Sequence, residues 1–148
     1  MARILFDLPE RFAFSTEVQV YISHVNQGGH LDNAQLLSLV SEARVRFFRS
    51  LGFREGDVGG AAIVVGDMVA QYKSEAFYGE TLRVQMQPAD FNRYGFDLVY
   101  CMTEVRQGRE IARGKTGIVF IDPRERRVTP IPAVVQRELN ALVSASAA

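Results

Sequence analysis

Three adjoining stretches decide the fold: Phe14-Ser15-Thr16-Glu17-Val18-Gln19-Val20-Tyr21-Ile22, then His24-Val25-Asn26-Gln27-Gly28-Gly29-His30-Leu31-Asp32, then the run from Asn33 to Arg49. In the first, Phe14, Thr16, Val18, Val20 and Ile22 alternate with polar neighbours, the period of a half-buried strand. The second is polar and carries a glycine pair, the composition of a turn. In the third, Leu36, Leu39, Val40, Ala43 and Phe47, with Leu51 just beyond, fall on one stripe at about 100° per residue, so the spacing predicts a helix of about 17 residues. Asp32 stands where an N-cap belongs, and Gln35 three residues later fits a capping box. Gly52 closes the helix, and Arg44, Arg46 and Arg49 occupy later turns, where the helix dipole favours cations.

Downstream the pattern is β. Residues 61–72, 81–87, 95–105 and 110–121 read as strands, separated by the turn signals Tyr78-Gly79-Glu80, Pro88-Ala89-Asp90 and Arg106-Gln107-Gly108. Such short joints imply antiparallel neighbours. Pro130 and Pro132 precede a final amphipathic helix carrying Val135, Leu139 and Leu142, and residues 144–148 are expected to fray. The order is one strand, one long helix, then four strands. A curved, antiparallel, five-stranded sheet wrapped around one central helix, with a short C-terminal helix, buries both apolar faces, an α+β architecture. We expect one domain over residues 1–148, with its core at about 14–121. An open sheet leaves edges to be paired, which predicts a homodimer or a dimer of dimers.

Composition narrows the function. Of 148 residues, 47% are hydrophobic and 23% charged, enough to fill a core without disulfides. Seventeen basic and seventeen acidic side chains cancel, which argues against a nucleic-acid partner. One cysteine (Cys101) and two histidines (His24, His30) exclude a disulfide framework and leave almost nothing for a metal site. No segment approaches the ~20 apolar residues of a membrane span, so no membrane partner is expected. A lone thiol and no secretory signal lead us to expect the cytoplasm.

The chemistry concentrates between His24 and Arg44. A polar turn feeding a buried helix gathers free backbone N–H groups at the positive end of a dipole, a place for a phosphate or a developing oxyanion. The Lys-Ser/Thr of a P-loop is absent after the second glycine, which argues against nucleotide hydrolysis. Asp32 reads as a cap worth ~1 kcal/mol or as a reacting carboxylate. Glu42 lies about 140° around the helix from the core stripe, beside Gln35, Ser38, Arg46 and Arg49. It is either an exposed acid paired with Arg46 at i+4 or part of a polar stripe facing a cleft at a dimer seam. His30 holds the turn, or polarises a carbonyl or orients a water. Asn26 is a turn residue or a donor to a carbonyl oxygen. Gly29 serves through its N–H and its missing side chain. With no Gly-x-Ser-x-Gly elbow, Ser74 is at most a pocket residue. Cys101 reads as inert packing. Arg93, Arg106, Arg113 and Lys115 are solvated or meet a nucleotide phosphate.

Asn26-Gln27-Gly28-Gly29-His30-Leu31-Asp32-Asn33-Ala34, followed by Ser41-Glu42-Ala43-Arg44, Phe47-Phe48 and Leu51-Gly52, resembles the hotdog-fold thioesterases, the 4-hydroxybenzoyl-CoA thioesterase-like acyl-CoA hydrolases. Their pattern is Asp-x-x-Gly-His-x-Asn-Asn-Ala, then a helix with Glu-Ala-Arg. The run from Tyr72 to Leu82 resembles their lead into the third strand, and strand and helix order agree over about 14–121. The resemblance implies a hotdog fold, a dimer or dimer of dimers, and hydrolysis of an acyl-CoA or acyl-carrier thioester with no cofactor. It casts Glu42 as base or nucleophile, with Asp32 as the other candidate carboxylate, and Asn26 and His30 as polar contacts. The N–H of Gly29 or His30 would form the oxyanion site. Gly28, Gly29, Asn33, Tyr72 and Ser74 would line the substrate, with the acyl chain beside Leu36, Val40 and Tyr72. The sequence departs from the pattern at Asn26, where many members carry an acid, and at Asp32, where they carry Asn. Two alternatives stand beside this. Hotdog hydratases and dehydratases resemble Asp-x-Asn-Pro-x-His here, but His24 takes the Asp position, the proline is missing and the turn is one residue longer. A non-catalytic acyl-CoA-binding module is the other.

Overall fold

A computed structural model describes residues 2–147. Strand β1 (Phe14–Gln19) leads through a single 3-10 turn (Ile22–His24) and the glycine-bearing bend into α1 (Asn33–Ser50). β2 (Ala62–Tyr72), β3 (Thr81–Asn92), β4 (Gly95–Glu104) and β5 (Glu110–Asp122) follow, then the two-residue β6 (Arg127–Val128) and α2 (Ala133–Ala147). The sheet order is β1-β3-β4-β5-β2, with β6 beside β5 and every pairing antiparallel. The five long strands are the expected ones, and β6 is a short addition. The chain has the α+β hotdog architecture, a curved sheet closed around α1.

The stripe does what its spacing demands. Leu36, Leu39, Val40, Ala43, Phe47 and Phe48 are buried against Val84 and Met86 of β3 and Phe96, Leu98 and Tyr100 of β4. Phe47 meets Phe14 edge-on at 5.7 Å, and Phe48 lies 6.4 Å from Phe96. Each fully buried large side chain contributes about 1.5–3 kcal/mol. Val135 and Leu139 of α2 join the same core.

Four details differ from the sequence reading, each for a local reason. β1 stops at Gln19 rather than Ile22, because Val20 exchanges backbone bonds with Gly79 and Glu80 and the chain then winds into the 3-10 turn. This leaves Tyr21 and Ile22 exposed. β3 runs on through Pro88-Ala89-Asp90 to Asn92, and its turn falls at residues 93–94. Pro88 lies beyond Met86, the last residue paired with β1, where a missing N–H costs no ladder bond on that side. The irregularity between Ala89 and Asn92, with Asp90 at φ 50°, absorbs the kink. The C-terminal helix continues through 144–147 instead of fraying, while Ala148 lies outside the described residues. Gln35 does not complete a capping box: the Asp32 N–H donates to the His24 carbonyl instead, at 2.9 Å.

Ahead of β1, residues 2–13 cross the sheet face turned away from α1. The Phe6 N–H donates to Gln71 Oε1 (3.0 Å), Arg113 Nη1 donates to the Phe6 carbonyl (3.1 Å), and the Ala13 N–H donates to Gln87 Oε1 (2.7 Å). At the sheet's edge, β2 leaves Val64, Val65, Met68 and Tyr72 exposed. Among the described residues, no helix is long and apolar enough to cross a membrane.

Candidate active site

Asn26 organises the bend. Its N–H donates to the His30 carbonyl (3.0 Å), its carbonyl accepts the Gly29 N–H (3.0 Å), and its Oδ1 accepts the Gly28 N–H (2.9 Å). Gly29, at φ 86°, takes the left-handed conformation that suits glycine. The Leu31 N–H donates to the Ala76 carbonyl at 2.7 Å. The Asp32 carboxylate caps α1, accepting from the Ala34 and Gln35 N–H groups at 3.0 and 3.2 Å. Of the two N–H groups expected to meet an oxyanion, that of Gly29 is therefore spent inside the turn. Among the described residues, the N–H groups of His30 and Asn33 donate to no protein acceptor.

The His30 ring packs edge-on against Phe77 (6.4 Å), with Nε2 3.6 Å from Glu75 Oε1. A Cβ at Gly28 would stand 3.0 Å from His30 Nε2 and 3.3 Å from Asn26 Oδ1, so this glycine keeps the ring's seat open. Tyr72, at the end of β2, donates its hydroxyl to the Asn33 carbonyl at 2.9 Å. Burial first, and then the charge of Asp32, raise its phenol pKa. Asp32, Asn33 and Tyr72 thus meet at the first turn of α1, while Asn26, Gly28, Gly29 and His30 form the approach to it. Ser74 points its hydroxyl at the Glu110 carbonyl, 2.7 Å away.

Arg109, to which the sequence assigned no role, braces the loop behind His30. It donates to the Glu75 carbonyl (2.6 Å), to Glu80 Oε2 (2.5 Å) and to Gln107 Oε1 (2.7 Å), while Glu80 Oε1 accepts the Phe77 N–H at 2.8 Å. Nothing in its local sequence signals the contacts with Glu75 and Glu80, which join residues about thirty positions apart.

Glu42 stands apart from this cluster. Nine residues beyond Asn33, it lies about 13.5 Å further along the helix axis, two and a half turns on. Its half-exposed carboxylate accepts from Arg46 Nε at 2.8 Å, and Arg46 Nη1 also donates to Thr16 Oγ1 and the Glu17 carbonyl. The expected i,i+4 pair is present, and so is a cleft: Glu42 lines a cavity of about 300 Å³ with Gln19, Tyr21, His24, Ser38 and Arg46. His24 joins it only because the 3-10 turn brings it there, a placement that alternation could not reveal. Leu36 and Val40, beside which the acyl chain is expected, are both buried, while Tyr72 is half exposed.

The remaining polar candidates have partners nearby. Arg113 is paired with Glu110 (2.7 Å), and Lys115 bridges Asp67 (2.6 Å) and Asp97 (3.1 Å). Arg93 lies over the Tyr94 ring. Cys101 is buried 3.5 Å from Glu110 Oε1, and burial above all pushes its thiol up to about 11, which leaves it protonated and unreactive. Among the described residues, no group of three His, Cys, Asp or Glu is placed to hold a metal ion.

An antiparallel sheet closed around one helix, with a donor-bearing bend at the helix's start, is the architecture of the hotdog-fold thioesterases. The family model of the thioesterase-like superfamily matches residues 20–139, so the chain belongs to that superfamily and is a thioesterase. Among solved structures it is similar to a 1,4-dihydroxy-2-naphthoyl-CoA thioesterase from Synechocystis (22% identity, 88% of this chain and 96% of that one, TM-score 0.78). It is also similar to a thioesterase from Thermus thermophilus complexed with coenzyme A and zinc (24% identity, 92% and 98%, TM-score 0.78). A third is the DHNA-CoA thioesterase from Staphylococcus aureus (20% identity, 88% and 90%, TM-score 0.78). No curated protein matches the chain in sequence.

Proposed function

We propose that the protein hydrolyses acyl-CoA thioesters to a free acid and coenzyme A, as a homodimer whose seam joins the two halves of the site. The observation that carries this reading is the layout of α1: unspent N–H donors at its start and a half-exposed carboxylate in a cleft about 13.5 Å further on. One carbonyl cannot meet both within a single copy. Two copies related by a twofold axis, with their α1 helices running antiparallel, bring Glu42 of one toward the bend of the other. The exposed apolar edge of β2 supports such pairing, since an unpaired edge invites a second strand.

The chemistry asks little more. A thioester carbonyl is poorly stabilised by sulfur, and the thiolate leaves readily. Glu42 acts as general base on water or as nucleophile, a contribution of about 10²–10⁴-fold for a positioned base. The N–H groups of His30 and Asn33, at the positive end of α1, receive the developing oxyanion, each such donor being worth roughly 3–4 kcal/mol. The His30 side chain and Asn26 hold the bend in shape. Asp32 is occupied as a cap and leaves the reacting role to Glu42. The bound coenzyme A of the Thermus thermophilus relative supports CoA as the thiol, and the dihydroxynaphthoyl-CoA relative puts aromatic acyl groups on the test panel.

A thiol-release assay over short, medium, long and aromatic acyl-CoAs tests this directly. Turnover with at least one class is expected, with Glu42→Gln lowering kcat at least about 100-fold in a variant that still folds and dimerises. Failure to release thiol from any member overturns hydrolysis. Enoyl absorbance from a 3-hydroxyacyl-CoA would instead identify a dehydratase.

A further inference from the structure

We infer that His24 is a further substrate-contacting residue, its Nε2–H donating to the carbonyl oxygen of a thioester held in the Glu42 cleft. The inference rests on the hydrolase reading above. His24 and Glu42 line the same cavity of about 300 Å³, although eighteen residues separate them in the chain. The tautomer is fixed by the backbone: Nδ1 accepts the Tyr21 N–H at 2.9 Å, so in the neutral ring the proton sits on Nε2. Among the described residues Nε2 has no protein partner.

The ring is also held in place. It stacks on Tyr21 at 5.7 Å with 13° between planes. Its own backbone carbonyl accepts the Asp32 N–H, and its N–H donates to the Tyr21 carbonyl, both at 2.9 Å. A buttressed donor that faces no protein acceptor, in a cavity holding an acid, is preorganised for an oxygen that arrives with the substrate. Within the Glu42 cleft, His24 thus offers a neutral donor whose proton position is set by the backbone.

Two substitutions separate a donor from a spacer. Glutamine has an amide oxygen for the Tyr21 N–H and an amide N–H₂ for the cleft, so His24→Gln keeps both functions. Phenylalanine keeps the stack on Tyr21 and loses both nitrogens. Against the best acyl-CoA of the panel, His24→Phe is expected to lower kcat by about 10²–10³-fold, the loss typical of one oxyanion donor. KM should change far less, and His24→Gln should recover most of the kcat. In ¹⁵N NMR of the wild-type dimer, the His24 ring should show the Nε2–H tautomer. A non-hydrolysable thioether analogue with a ketone in place of the thioester carbonyl should move its Nε2 resonance. If the wild type turns over but His24→Phe matches its kcat, or the ring carries its proton on Nδ1, this inference is overturned while hydrolysis stands. If the wild type releases no thiol, both fall together.

Discussion

The Tyr72 hydroxyl donates to the Asn33 carbonyl at 2.9 Å, tying the last residue of β2 to the first residue of α1. Two elements that share few other contacts are thereby pinned at the point where the proposed oxyanion donors emerge. Tyr72→Phe removes this bond and little else, so stability should fall by about 0.5–1.5 kcal/mol. Because the lost bond orients the helix start, kcat/KM should fall as well. A urea titration and a thiol-release assay on the same variant check both.

Asp32 offers a separation of capping from chemistry. Asn caps a helix about as well as Asp, whereas Ala does not. Asp32→Asn should leave the urea midpoint and thiol release near wild type. Asp32→Ala should lose about 1 kcal/mol of stability. A collapse of turnover in Asp32→Asn, with the midpoint unchanged, would move the reacting carboxylate from Glu42 to Asp32.

Thr116 is buried on the helix-facing side of β5, in register with Leu98 and Met68, and its hydroxyl has no hydrogen-bond partner among the described residues. A buried hydroxyl without a partner costs about 1–3 kcal/mol. Thr116→Val keeps the shape and removes the cost, so the midpoint of chemical unfolding should rise, by about 1–2 kcal/mol of stability. A fall would reveal a partner for the hydroxyl.

Glu104 sets part of the response to acid. Its carboxylate is 1% exposed and accepts the Arg106 and Gln107 N–H groups at 2.8 Å, which hold its pKa below the ordinary 4.5. Glu110 is lowered by Arg113, and Asp122 by the Glu125 and Arg124 N–H groups. Each contributes stability that is complete above its unfolded value and is lost as pH falls through its folded one. Unfolding midpoints should therefore hold steady at neutral pH and decline below the ordinary carboxylate range. Glu104→Gln should show a shallower acid decline, measured as urea midpoints across a pH series.

The strand, bend and helix at the start of the chain were legible because their apolar residues repeat at the period of each element. The cap at Asp32 and the stop at Gly52 carried side-chain signals of their own. Pro88 misled, because a proline marks a turn in sequence yet is tolerated in a strand where its neighbour strand has ended. The 3-10 turn was illegible for a different reason: Val20 is drawn to Gly79 and Glu80, a tertiary contact that breaks off a pattern still alternating at Tyr21 and Ile22. That same break delivers His24 to the Glu42 cleft, so the site's least legible member follows from the fold's least legible bend. Arg109 was hidden likewise, since Glu75 and Glu80, which it braces, are distant in the chain.

The segment before β1 has a consequence for assembly. Sheets pile face to face at a spacing of about 10 Å. Here the outer surface is already roofed by its own chain, pegged through Gln71, Arg113 and Gln87. A second sheet could reach this face only by displacing that segment. Trimming that roof would bare Val99 and the lone thiol of Cys101, now 5% and 8% exposed, and turn a shielded back into a sticky, oxidisable one.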